Sequence, residues 1–220
     1  MTSKIIKMNY RSYEFSFPAE SEPKWSGIVE RWYQLDAAAF GIADALSFWK
    51  ENLKTRPELV ILASPGGSNH TDSLFTQSGA TSPSLFVHTL PNIRGSSFCQ
   101  VMDWNGPVLC IQNDPTTRLT AIREALESLD EETQTIWIVG ITPSATLADK
   151  YTAYLLSFSS SEKDASFEIV RRDALLAHRD IAPPTSDLYV LDWLKNQNLA
   201  EPELRLLGGY GHDYIIKRVM

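Results

Sequence analysis

Few residues of this sequence have the type and spacing that nucleophilic or metal chemistry needs. The two cysteines cannot form a four-cysteine zinc site or a disulfide framework. No pair of the four histidines has the spacing of a metal-binding motif such as HExxH, and no GxSxG elbow suggests a serine hydrolase. We therefore predict that the chain uses no metal and no cofactor. The two cysteines are Cys99 and Cys110, and the four histidines are His70, His88, His178 and His212.

A glycine pair at residues 64–68, Ser-Pro-Gly-Gly-Ser, follows an apolar run and is a second place where chemistry could occur. A phosphate-binding loop of the P-loop type would need a lysine that this segment lacks, and the glycine spacing matches no dinucleotide-binding fingerprint. We interpret the segment as a plain turn at the end of a strand.

Composition indicates a globular chain with a sizeable core. The chain has 220 residues, of which 43% are hydrophobic and 21% charged, and this suits a single large domain. Its net charge is 20 − 27 = −7, and no basic face is visible, so we expect no nucleic-acid partner. No apolar run is long enough for a membrane span or a signal peptide, and two cysteines suit a reducing compartment, so we expect a cytoplasmic protein.

Three segments have helical patterns. Residues 36–53 are rich in alanine and follow Asp36, which can cap a helix. Residues 92–102 have a loose apolar stripe. Residues 115–129 have leucine and isoleucine on one face, with Asp114 suited to the N-cap and Pro115 to the first helical position.

Apolar runs between these helices predict a parallel or mixed sheet that helices cover on both faces. We expect residues 157–166 to form a hairpin loop and residues 192–199 to form a short helix. The strands are predicted at residues 13–17, 59–63, 108–111, 135–141, 151–158, 166–171, 187–191 and 213–219.

Residues 82–141 resemble the N-terminal half of β-ketoacyl synthases. The family has a Ser-Pro pair and a Thr-x-x-Asn helix start, then a Gly-Pro before the nucleophile strand, and later a Val-x-Gly-Gly strand. The glycine-rich segment 207–213 and the strand after it are similar to the loop and strand that close a ketosynthase. The matching motifs are Ser82-Pro83, Thr89-Leu90-Pro91-Asn92, Gly106-Pro107 and Trp137-Ile138-Val139-Gly140.

This resemblance implies an α/β, thiolase-like fold, in which a truncated ketosynthase half has a mixed sheet covered by helices. Residues 1–220 would form one domain, with 1–150 as the N-terminal-half core and 151–220 as a shortened C-terminal remnant. The chain is similar to short proteins of the superfamily from bacterial polyene and type II polyketide pathways, which act as chain-length-factor-like partners.

The sequence departs from the family at the catalytic residues. Pro115 occupies the nucleophile position, nine residues after Gly106. Proline has no thiol for an acyl-enzyme and no backbone N–H for an oxyanion hole. Cys110 lies five residues earlier inside a strand, and neither His178 nor His212 matches a catalytic histidine motif of the family.

The resemblance therefore implies a catalytically inactive chain length factor that pairs with a full-length β-ketoacyl synthase in fatty-acid or polyketide-type biosynthesis. The heterodimer would form through the strand at residues 108–113, and an acyl carrier protein is a further candidate partner. Simple core packing is an equally good interpretation of each large apolar candidate. The candidates for the interface or the wall of the partner's acyl tunnel are Phe86, Phe98, Met102, Val108, Cys110, Gln112 and Asn113.

Two other hypotheses remain open from the sequence. The chain could be a small independent acyltransferase or hydrolase, which would need a nucleophile–base pair that the sequence does not reveal. It could also be a binding or scaffold module without any role in acyl chemistry. Complex formation with a ketosynthase separates the first hypothesis from these two.

Overall fold

The structure is a computed structural model of the chain. It describes residues 5–63, 73, 75–77, 79, 94–112, 116–160, 165–173, 187–196, 201–207 and 212–219. Phe86, Asn113, Asp114, Pro115 and residues 64–68, where we predict a turn, lie outside these residues.

The described strands form one mixed sheet of eight strands. β2 pairs in parallel with β3 and with β4, whereas every other neighbouring pair is antiparallel. The strands are β1 (Ile5–Ser16), β2 (Leu59–Ala63), β3 (Val108–Ile111), β4 (Thr135–Pro143), β5 (Lys150–Ser159), β6 (Phe167–Asp173), β7 (Glu203–Leu207) and β8 (His212–Arg218). Their order across the sheet is β3-β2-β4-β5-β1-β6-β8-β7.

Helices cover both faces of this sheet, as the sequence predicts. One core cluster lies between the sheet and the pair α1 and α2, and the other lies between the sheet and the pair α3 and α4. The helices are α1 (Ala37–Trp49), α2 (Arg94–Met102), α3 (Thr117–Ser128) and α4 (Asp187–Lys195), with short 3-10 turns at Trp32–Gln34 and Lys50–Asn52.

Asp36 starts α1 as predicted and also fixes α2. Its carboxylate accepts a hydrogen bond of 2.7 Å from the backbone N–H of Ala39 and one of 2.8 Å from Nε of Arg94. Ser97 of α2 donates to the carbonyl oxygen of Ala39 over 2.9 Å. The start of α1 therefore holds the start of α2, which places the segment before β3.

A glycine allows α1 to lie close to the sheet. A Cβ atom at Gly41 would lie 2.0 Å from the ring of Phe15 on β1, which no real contact tolerates. The ring of Phe15 therefore fills the space that any other residue at position 41 would occupy. This contact fixes the distance between α1 and the middle of the sheet.

Two local predictions are wrong. The strand predicted at 187–191 is the first part of α4, because Val190, Leu191 and Leu194 share one buried helical face. The hairpin predicted at 157–166 does not form, because β1 lies between β5 and β6 and pairs with both. The strand predicted at 13–17 is the end of the longer β1, which begins at Ile5.

The other strand predictions are confirmed to within two residues, and the helix predicted at 115–129 is confirmed as α3. The helix begins at Thr117, with Thr116 at its N-cap, so the prediction of Asp114 as the N-cap and Pro115 as the first helical residue is wrong. One continuous sheet joins the strands before residue 150 to those after it, since β1 pairs with β5 and β6.

Candidate functional site

The carboxyl ends of the three parallel strands lie at one edge of the sheet, and α3 begins there directly after β3. Ligands of open α/β sheets bind outside the carboxyl ends of strands. A helix N-terminus also carries partial positive charge and unpaired N–H groups that stabilise an anion. This edge is therefore the candidate site. Pro115, the predicted nucleophile position, comes two residues before the first residue of α3, Thr117.

Asp187 occupies the N-terminus of α3. Its two carboxylate oxygens accept hydrogen bonds from the backbone N–H groups of Arg118 over 2.7 Å and Leu119 over 3.1 Å. The guanidinium of Arg118 lies 3.7 Å from the same carboxylate, and both side chains are buried. The carboxylate of Asp187 is therefore the anion bound at this helix end.

Arg118 connects this cap to the end of β4. Its Nη2 donates to the carbonyl oxygen of Ile141 over 2.9 Å and lies 3.0 Å from the hydroxyl oxygen of Thr142. The guanidinium also lies 5.7 Å from the ring centroid of Tyr154 on β5. Arg118 therefore has an ion pair, a carbonyl and an aromatic ring around it, so its charge is used to hold the edge together.

The hydroxyl of Tyr154 lies over Gly140, its register partner on β4. A Cβ atom at Gly140 would lie 2.4 Å from the hydroxyl oxygen of Tyr154 and 2.5 Å from the carbonyl oxygen of Ala63, so only glycine fits there. Burial raises the pKa of Tyr154 to about 12, and the nearby guanidinium of Arg118 opposes that rise. The phenol is therefore protonated at neutral pH and is no general base.

The two cysteines are poor nucleophiles in this environment. Cys110 lies on β3 and Cys99 on α2, and both half-buried side chains pack against the core beneath α1 and α2. Burial raises the pKa of each thiol, and Arg94 partly opposes this rise for Cys110. Neither thiol therefore has the lowered pKa of an activated cysteine.

β3 is the edge strand of the sheet at this end. The backbone N–H of Val60 donates to the carbonyl oxygen of Pro107 over 3.2 Å, and Val60 is the register partner of Val108. In a parallel ladder this register directs the backbone groups of Leu109 toward β2 and those of Val108 and Cys110 toward the outer edge. No described strand pairs with that outer edge.

The predicted interface and tunnel residues fall into two environments. Phe98 and Met102 are 0% and 7% exposed and lie within the core cluster of α1 and α2. Val108 and Cys110 are half-buried on β3, and Gln112 is exposed just after it. Phe86 and Asn113 lie outside the described residues.

Sequence reasoning did not identify Asp187 as part of this edge. The residue lies 69 positions from Arg118, so local pattern does not connect the two. One local signal was available, because Asp187 precedes apolar residues at positions 190, 191 and 194, which is helical spacing. An acidic residue at the start of a helix is common, but its partner in another helix follows only from the fold.

Two further classes of site are not found in the described parts of the chain. No three side chains among His, Cys, Asp and Glu lie together as a metal site would require. None of the described helices is both long and apolar enough to span a membrane.

No family model and no curated protein matches the sequence. Among solved structures, the chain is similar to one chain of the complex of a ketosynthase, ApeO, with its chain length factor, ApeC, from Xenorhabdus doucetiae. The identity is 12% and the TM-score 0.57, and the likeness covers 99% of this chain and 100% of that one. The predicted α/β, thiolase-like fold with a mixed sheet covered by helices is thereby confirmed.

Proposed function

We propose that the chain is a catalytically inactive, ketosynthase-like chain length factor. It pairs with a full-length β-ketoacyl synthase in fatty-acid or polyketide-type polyene biosynthesis and shapes the acyl tunnel of that enzyme. The observation that carries the proposal is the likeness, over both whole chains, to a chain of a ketosynthase–chain length factor complex.

Inactivity is supported by two independent features of the same edge. Pro115 supplies neither a thiol nor a backbone N–H at the position of the nucleophile. Asp187 places a carboxylate on the first turn of α3, where a condensing enzyme would stabilise developing negative charge. The N–H groups of Arg118 and Leu119 already donate to this carboxylate, so they are not available to a developing oxyanion even if a thiol were present.

Pairing is supported by the outer edge of β3, with which no other described strand pairs. An exposed strand edge presents N–H and C=O groups that a second strand can satisfy, and uncovered edges tend to associate. Val108 and Cys110 of β3 are half-buried and pack against the core beneath α1 and α2, so apolar side chains reach this edge of the sheet. A partner strand laid against β3 would extend the sheet and bring the partner close to α2.

The complex would act in the cytoplasm, where acyl carrier proteins deliver substrate, and an acyl carrier protein is the expected transient partner. This chain would supply no metal, no cofactor and no catalytic side chain. Its effect on the product would arise from the shape of the surface that it presents to the active subunit.

Co-expression with a full-length β-ketoacyl synthase from the same organism tests the proposal. We expect a one-to-one complex by native mass spectrometry and poor solution behaviour of the chain alone. The isolated chain, and its Pro115→Cys variant, should show no condensation with acyl and malonyl carrier-protein substrates. If the chain alone is monodisperse and does not bind the ketosynthase, the proposed pairing is wrong. If an acyl group is transferred to Cys99 or Cys110, the proposed inactivity is wrong.

A further inference from the structure

The hydrophobic core reaches the protein surface at β3. Residues 60–63 of β2 are at most 2% exposed, whereas every residue of the neighbouring β3 is half-buried or exposed. No described strand pairs with the outer edge of β3. This end of the sheet therefore has apolar side chains that remain partly exposed.

Leu109 is the most exposed residue of β3, at 41%. Val108 and Cys110 pack against the core beneath α1 and α2, and side chains alternate along a strand, so Leu109 points to the opposite face. Ile111 of β3 and Leu119 of α3 are half-buried on that face, where they pack against the core beneath α3 and α4. The α3 side of this end therefore has three aliphatic side chains that are not fully covered.

α2 lies over β2 and β3 on the other face of the sheet. A Cβ atom at Gly95 would lie 3.1 Å from Cδ1 of Leu62 on β2 and 3.5 Å from Cγ1 of Val108 on β3. α1 contacts β4, β5 and β1 instead, nearer the middle of the sheet. α2 is therefore the outermost described helix on this face and borders the outer edge of β3.

Cys99 is on the side of α2 that faces this edge. Arg94 contacts Asp36, and Ser97 contacts the carbonyl oxygen of Ala39, so both of these α2 residues face α1. With about 3.6 residues per turn, Cys99 lies roughly on the opposite side of the helix from both. Its side chain is half-buried. The α2 side of this end therefore has a small, polarisable side chain that a partner can contact.

The backbone edge of β3 is too short to form a stable complex by itself. Its four residues, at about 3.3 Å each, span about 13 Å. Each partner in a stable complex buries about 800 Å², and one row of backbone groups of this length does not supply that area. A stable contact at this end therefore has to include the apolar side chains on both faces of β3.

Resting on the function proposed above, we propose that the ketosynthase subunit covers all three layers of this end. One of its strands pairs with the outer edge of β3, one of its helices packs on Cys99, and another packs on Leu109. The partner that fits has a strand edge between two helical layers, which is the construction of this chain itself. The partner side chains opposite Cys99 and Leu109 are apolar, because neither residue offers a charge or a strong hydrogen-bonding group.

Leu109→Asp tests the α3 side of this end. We expect the Kd of the complex with the ketosynthase to rise at least about thirtyfold, as for an anchor residue at the centre of an interface. Leu147→Asp is the matched control and should leave the Kd unchanged, since it alters a leucine that is 54% exposed in the turn between β4 and β5. Both leucines are exposed, so both variants should fold.

Alkylation of Cys99 tests the α2 side. Burial raises the pKa of this thiol, so the reaction with N-ethylmaleimide is run at alkaline pH and followed by peptide mass spectrometry. We expect the rate at Cys99 to fall at least about tenfold when the ketosynthase is bound, because the partner excludes the reagent. Leu147→Cys supplies an exposed control thiol away from this end, and its rate should not change.

An unchanged Kd for Leu109→Asp overturns the proposal and leaves the proposed function intact, because the chain would still bind the ketosynthase without this side of the end. An unchanged alkylation rate at Cys99 in the complex overturns it in the same way. If Leu109→Asp abolishes self-association of the isolated chain but not binding to the ketosynthase, this end binds a second copy of the chain instead. If the wild-type chain forms no complex with the ketosynthase, the proposed function is wrong and this proposal fails with it.

Discussion

The carboxylate of Asp187 accepts a 2.7 Å hydrogen bond from the backbone N–H of Arg118, joining the first residue of α4 to the first turn of α3. The two helices lie on the same face of the sheet, and this contact fixes one to the other at the carboxyl edge of the parallel strands. The same carboxylate neutralises the helix end at which a ketosynthase-like fold would carry out its chemistry. One residue therefore joins two helices and occupies the helix end that an anion would otherwise bind.

The ion pair between Asp187 and Arg118 predicts a large loss of stability on mutation. Asp187→Asn removes the charge and leaves a buried guanidinium without its carboxylate, which should cost on the order of 3 kcal/mol. The measurement is urea denaturation followed by tryptophan fluorescence. Asp192→Asn, on the exposed side of the same helix, is the control and should change stability by less than about 0.5 kcal/mol. Equal stability of the two variants would show that the cap contributes nothing.

Tyr154 predicts a loss of stability at alkaline pH. Its pKa is raised from the ordinary 10.0 to about 12 in the folded chain, mainly by burial. The unfolded chain therefore loses this proton first, so the contribution of Tyr154 is complete below pH 10 and is lost as pH rises toward 12. Tyr154→Phe should flatten the fall in unfolding free energy across that window.

The control for this experiment is Tyr33→Phe, which removes a phenol that is 67% exposed. This variant should follow wild type across the alkaline range. If Tyr154→Phe also follows wild type, the ionisation of Tyr154 is not coupled to folding.

The two cysteines should react slowly with alkylating reagents. Burial raises both thiol pKa values, so the thiolate fraction at pH 7 is below that of an ordinary cysteine. We expect little modification by iodoacetamide at pH 7 in the folded chain and faster modification as pH rises, measured by intact mass. In urea both thiols should react at the rate of a free cysteine. Rapid labelling of the folded chain at pH 7 would contradict the account of both sites.

Residues of α2 are expected to influence product length in the complex. Met102→Ala removes buried side-chain volume, and burying each additional CH₂ of an acyl chain is worth about 0.8 kcal/mol. Room for one further two-carbon unit would therefore shift products toward longer chains. The same should hold for Phe98→Ala, and for Phe86→Ala if that residue faces the tunnel. Product lengths are measured by mass spectrometry of the reconstituted complex.

These substitutions also weaken the core, because Phe98 is 0% exposed and Phe→Ala in a core costs about 3–5 kcal/mol. Size-exclusion chromatography of each complex is therefore part of the experiment. Met102→Leu conserves volume and should leave the products unchanged. If the complexes stay intact and all give products of wild-type length, these residues do not line the tunnel.

Local chemistry explains which elements the sequence predicts well. The start of α1 is predictable because Asp36 caps it within three residues. β2 and β3 are predictable because each is an apolar run of only five or four residues, a length typical of buried strands. Propensity alone predicts a strand at the start of α4, since Leu, Tyr and Val are common in strands. This segment forms a helix instead of a strand because only helical spacing lets its apolar residues pack together against α3 and the sheet.

Long-range pairing explains what could not be predicted. β1 lies between β5 and β6 although some 140 residues separate them in sequence, and nothing local in β1 selects those neighbours. The contact between Asp187 and the N-terminus of α3 also depends on long-range packing that no local pattern selects. The sequence therefore reveals that Pro115 replaces the cysteine of the ketosynthase pattern. It does not reveal that Asp187 occupies the N-terminus of α3.

The outer edge of β3 provides the most direct measurement of the central claim. Val108→Pro removes a backbone N–H that points away from β2, so it should leave the internal ladder intact and deny one hydrogen bond to a partner strand. Val108→Ala loses side-chain volume but keeps that N–H, and is the matched control. Both variants are co-expressed with the ketosynthase, and complex formation is measured by native mass spectrometry. The account predicts that Val108→Pro loses the one-to-one complex while Val108→Ala retains it. A full complex with Val108→Pro, or no complex with the wild-type chain, would contradict it.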